Sequence, residues 1–101
     1  MHHRHSRRLA AYVHGRCVGP SMRRALPDDV CHVHWIGTGW ELSGFAALAE
    51  ARRRGLAFTV APFIHPGAWG DSPFDGDLYA AADAVLAQSE AEREILSLIH
   101  I

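Results

Sequence analysis

The chain holds 101 residues, of which 49% are apolar, 9% aromatic and 21% charged, a globular mixture at a length that suits one small domain and excludes wholesale disorder or a collagen-like repeat. Net charge is −1. No apolar run approaches the roughly 18 residues that cross a bilayer, and the N-terminus lacks the apolar stretch of a secretory signal, so a cytoplasmic location is expected.

Residues 1–19 show no clear period, and their histidines, His2, His3 and His5, resemble a metal-binding tract that in a frayed terminus is usually solvated and inert. Residues 1–27 hold six arginines and no acid, while the rest holds four arginines against eleven acids. A basic segment can follow nucleic acid or an anionic membrane surface. This one lacks interleaved aromatics, a zinc-ligand spacing and an RNA-binding signature, so nucleic acid is not an expected partner, while peripheral membrane contact stays open. Cys17 and Cys31, without a CxxC pair, read as reduced and structural.

Pro20 and Ser21 introduce a short helix that stops at Pro27. Residues 30–36 (VCHVHWI) are β-branched, aromatic and nearly continuous in bulk, as in a strand covered on both faces. Gly37, Thr38 and Gly39 end it. Residues 40–54 then place Leu42, Phe45, Ala46 and Ala49 on one side and Glu41, Glu50 and Arg52 to Arg54 largely on another, with Gly55 as the C-cap of an amphipathic helix. Residues 56–64 (LAFTVAPFI) predict a second buried strand with Pro62 near its end, and 65–76 a Gly/Pro/Asp-rich loop. A short helix over 77–83, a strand over 84–88 and a helix capped by Ser89, with Glu92 at the capping-box spacing, complete the chain. Strands alternating with helices predict right-handed crossovers and a Rossmann-like, three-layer α/β fold with a parallel sheet. The last six residues, LSLIHI, match the translation of a transposase mosaic end used in sequencing libraries, so 96–101 are expected to be an added scar and the natural sequence to end near Ile95.

In open parallel sheets ligands bind beyond the carboxyl ends of the strands. Two segments fit that position. Gly37-Thr38-Gly39 reads either as a tight turn or as a phosphate cradle ahead of a helix, although it lacks the full GxGxxG fingerprint. His65, followed by Trp69, Gly70 and Asp71, offers an imidazole, a stacking surface and a carboxylate, or else a structural loop. His32 and His34 share one strand face, as a metal-chelating pair would. Val30 stands where metal-dependent amidohydrolases carry Asp, so buried strand histidines satisfied by the backbone or by neighbouring polar groups are expected instead.

The succession DDVCHVHWIGTGWE, ARRRGLAFTV, APFIHPGAWGD and DLYAAADAVLAQSEAEREIL resembles the N-terminal, acceptor-side domain of family 4 retaining glycosyltransferases with the GT-B fold, over residues 20–95. The resemblance implies transfer of a sugar from a nucleotide-sugar donor to a sugar, lipid or other acceptor, with no obligatory metal or other cofactor. It implies His65 as the catalytic candidate, Gly37, Thr38 and Gly39 along the cleft, and Trp69, Gly70 and Asp71 toward the acceptor. Residues 1–19 do not show the family's opening strand and Gly-rich loop, and the donor-binding domain with its paired glutamates is absent from the sequence. The parent is therefore expected to be an enzyme and this chain by itself inactive. A metal-dependent hydrolase using His32 and His34, and a non-catalytic Rossmann-like binding module, are the alternative readings.

Overall fold

The computed structural model describes residues 2–65, 67 and 69–98, without the side chains of residues 2–4. The expectations for the imidazoles of His2 and His3 and for residues 99–101 lie outside that part. In chain order the elements are α1 (His2–Ala25), β1 (His32–Ile36), α2 (Ser43–Arg54), β2 (Ala57–Ala61), α3 (Pro73–Ala81), β3 (Ala84–Val85) and α4 (Glu90–Leu98). No helix among the described residues is long and apolar enough to cross a membrane.

The three strands form a parallel sheet in the order β1-β2-β3, as alternation of strand and helix predicts. Val33 faces Phe58 and Trp35 faces Val60 across the first ladder, and Val60 faces Val85 across the second. These side chains point into the core, where Phe58, Val60 and Leu78 are wholly buried together with Ala51 and Tyr79. The opposite face carries His32, His34 and Ile36, all exposed. Among the described residues the helical cover lies on one face only, so the expected three-layer packing is reduced to two layers.

The largest departure from the sequence reading is α1. Residues 1–19 carry no usable apolar period, yet one 24-residue helix runs from His2 through Pro20 to Ala25. Tertiary contacts hold it. Arg54 donates to the carbonyls of Arg23, Leu26 and Pro27 and so caps the C-terminal end of α1. His14 Nε2 meets Ser43 Oγ at 3.1 Å, Arg23 reaches Glu50, and Arg8 pairs with Asp77 at 3.1 Å. Two of the basic segment's six arginines, Arg8 and Arg23, are thus answered by acids of the same chain.

Local signals explain the other boundaries. Gly55 adopts φ 70° and ends α2, its amide bonding the carbonyls of Ala51 and Arg52. The start of α3 lies inside the stretch expected to be loop. Ser72 caps it, Pro73 takes the first position, and Asp75 returns a bond to the Ser72 amide at 3.2 Å. Asp83 fixes the entrance to β3: its carboxylate accepts from the Phe58 amide at 2.8 Å and from Arg52 at 3.0 Å. Those two bonds, the Phe58 amide foremost, hold its carboxyl below the usual range. Leu96 of α4 is buried in the core, so the helix continues past residue 95 into the LSLIHI stretch.

Candidate functional site

Because all three strands run the same way, the loops leaving β1 and β2 emerge at one rim of the sheet. The first is Gly37-Thr38-Gly39, the second contains His65. They touch: a Cβ on Gly70 would lie 2.8 Å from Thr38 Cγ2. The sequence-predicted residues of both loops therefore share the carboxyl rim.

The Thr38 turn is already occupied. The Thr38 amide and hydroxyl both donate to one oxygen of Glu41, at 3.0 and 2.6 Å, and the Trp40 amide donates to Thr38 Oγ1 at 3.2 Å. A carboxylate of the chain fills the position that a phosphate would take. The helix expected from Trp40 starts at Ser43, after a tight turn in which the Ser43 amide reaches the Glu41 carbonyl. That turn forces Leu42 to φ 63°, a conformation that a β-carbon disfavours. Gly37, Thr38 and Gly39 are buried. Beside them Asp75 Oδ1 is buried without a hydrogen-bond partner among the described residues, 3.0 Å from where a Cβ on Gly39 would stand.

The second loop is a closed hairpin. His65 and Trp69 exchange amide-to-carbonyl bonds at 2.9 and 3.0 Å, and their rings meet at a 43° tilt with centroids 4.0 Å apart. The Gly67 amide donates to Asp71 Oδ2 at 2.8 Å, closing the turn from within. His65 and Trp69 are exposed and Asp71 is half-buried. Gly70 is buried, and its carbonyl accepts from the Tyr79 hydroxyl at 2.8 Å. Burial, and after it the charge of Asp75, raises the Tyr79 pKa far above its ordinary value, so the hydroxyl remains a donor.

Two contributors were not singled out from sequence. Glu92, buried on α4, accepts from the Ile64 amide at 3.2 Å and the Gln88 amide at 3.1 Å, tying the exits of β2 and β3 together. Its capping-box position is visible in the sequence, whereas its long-range partners are not. The other is Trp40, exposed at the rim, with the Arg7 guanidinium 4.1 Å from its ring centre. Together Trp40, Phe63 and Trp69 put three exposed aromatic rings on the loops that leave β1 and β2.

His32 and His34 are elsewhere, within β1 on the open sheet face. They are not the buried strand histidines expected, but the polar neighbour is there. His32 Nε2 and His34 Nδ1 approach the same Thr59 hydroxyl at 2.8 and 2.7 Å. That oxygen carries one proton, so at least one ring must donate to it. No group of three or more His, Cys, Asp or Glu side chains converges as a metal ion would require, among the described residues. Cys17 and Cys31 are unpaired and exposed, so neither fills the core.

Comparison of the chain with protein-family models, with curated proteins and with solved structures finds no match.

Proposed function

We propose that this chain provides the acceptor-side wall of a retaining glycosyltransferase of GT-B type, with His65 as the residue that meets the reacting sugar. The observation that carries this reading is the position of His65 at the exit of β2, on the same rim as the Thr38 turn, with its ring exposed and in tilted contact with that of Trp69. Stacking rings and hydrogen-bond acceptors are what a hydroxyl-rich ligand needs, and this rim has both. Its aromatic surfaces are Trp40, Phe63 and Trp69. Its carboxylates include Glu41 and Asp71, whose charges both bear on Tyr79.

The same carboxylates argue against the rim as a phosphate site. Glu41 takes the donors of Thr38, and a diphosphate brought there would meet like charge. The donor's diphosphate is better held by an opposing domain, which is the division of labour that the resemblance implies. Alone, the chain would bind an acceptor weakly and turn nothing over, since orientation and stabilisation of the departing diphosphate dominate such chemistry.

Two measurements test the proposal. Saturation-transfer NMR of the chain with a panel of mono- and oligosaccharides should show contacts that disappear in Trp69→Ala. In an enzyme that joins this sequence to a donor-binding domain, His65→Ala should lower kcat by about 100-fold or more. Its unfolding temperature should barely move, because the His65 ring is exposed. Unchanged turnover together with no sugar contact at Trp69 would overturn the reading.

A further inference from the structure

The seam between α1 and α2 is left open as a groove of about 320 Å³. Its floor is formed by Gly15 and Gly19 of α1, and no atom lies within 4 Å of where either Cβ would be. Tyr12 and Phe45 give it aromatic walls, and Arg16, Arg23 and Arg53 line it with a single acid, Glu50.

The charges in this groove do not balance. Glu50 is nearly buried and is held by Arg23, Arg53 and Arg54 at once. Arg54 is further committed to three backbone carbonyls at the end of α1. Arg16 makes no ion pair among the described residues, and about half of the Arg23 and Arg53 side chains faces solvent. Three guanidinium groups against one carboxylate leave a surplus of two positive charges over a floor without side chains. A phosphate monoester carries close to two negative charges near neutral pH, and its oxygens suit the planar donor forks of arginine.

We propose that the α1/α2 groove is a binding site for a phosphate-bearing ligand, with the phosphate among Arg16, Arg23 and Arg53 and the remainder against Tyr12 and Phe45. This site is separate from the carboxyl rim and does not depend on the function proposed for it. A soluble phosphate ester and the headgroup of an anionic lipid offer the same chemistry, and the experiment tells them apart.

The test uses the full chain, calorimetric titration with inorganic phosphate at low ionic strength, and two variants. Arg16→Gln removes a guanidinium that makes no hydrogen bond or ion pair among the described residues. Gly15→Leu fills the floor of the groove where nothing obstructs a Cβ, so circular dichroism should stay unchanged or show a higher unfolding temperature. Saturable one-to-one binding is expected, weakened about tenfold by Arg16→Gln and abolished by Gly15→Leu. Sedimentation with phosphatidylcholine vesicles, with and without phosphatidic acid, identifies the source. Capture by the acidic vesicles, reversed by free phosphate, indicates a lipid headgroup, and phosphate binding without capture indicates a soluble ester. Absence of saturable phosphate binding, or equal affinity in all three proteins, would overturn the proposal.

Discussion

Thr38 and Gly70 are in contact across the rim, and the space between them admits no further carbon. A Cβ on Gly70 would lie 2.8 Å from Thr38 Cγ2 and 3.2 Å from the Ile64 backbone, and Gly70 itself sits at φ 89°. Gly70→Ala should therefore destabilise the chain by roughly 2–4 kcal/mol, combining a strained backbone with overpacking. In a Thr38→Ser background, which removes the methyl group, urea unfolding should show a cost at least about 1 kcal/mol smaller. Equal costs in both backgrounds would place the strain elsewhere.

The Tyr79 hydroxyl is the donor that satisfies the buried Gly70 carbonyl. Tyr79→Phe should cost about 1–2 kcal/mol, since that carbonyl would lose its partner. The raised pKa predicts a second result. Tyr79 keeps its proton in the folded state while the unfolded state begins to lose its own near 10, so its contribution is full below pH 10 and falls as pH rises above it. Absorbance titration of the folded chain should give the same tyrosinate amplitude for the wild type and Tyr79→Phe.

Glu50 gives the opposite limb. The hydrogen bond from Arg53, aided by those from Arg54 and Arg23 and opposed by burial, lowers its pKa from 4.5 to about 2. A depressed carboxyl stabilises the fold above pH 4.5, and that contribution disappears as pH falls toward 2. Chemical unfolding at stepped pH should show Glu50→Gln less stable than the wild type at neutral pH, by roughly 1–3 kcal/mol, with the gap closing in acid.

Pro20 lies within α1, where it can donate no amide bond to the preceding turn. Pro20→Ala should raise stability by about 1–3 kcal/mol, read as a higher unfolding temperature. A lower temperature would show that α1 depends on Pro20 to reach both Asp77 and Glu50.

The contrast between α1 and β1 shows what sequence could reveal. Residues 30–36 and 56–64 announce strands because β-branched and aromatic side chains cluster between turn signals, and the parallel pairing follows from the helix between them. In α1 the apolar residues do not segregate: Leu9, Tyr12 and Val13 are exposed, and the helix is fixed by Arg54, His14 and Arg23, whose partners lie 25 or more residues away. No local period encodes such contacts. The early start of α3 was readable, since Ser72, Pro73 and Asp75 are a cap signature, but it is embedded in residues that equally suit a loop. At the rim, His65 and Trp69 were identifiable by residue type and place in the strand order. That Glu41 would fill the Thr38 turn follows from backbone geometry around Leu42, which a short Gly-Thr-Gly phrase does not specify.

The bond from Ile64 to Glu92 has a mechanical implication for the histidine that follows it. Because the amide immediately before His65 is pinned by a carboxylate 28 residues further on, the backbone that carries the imidazole is anchored to the last helix. A push on α4 would be transmitted through one side chain to the carboxyl rim of the sheet.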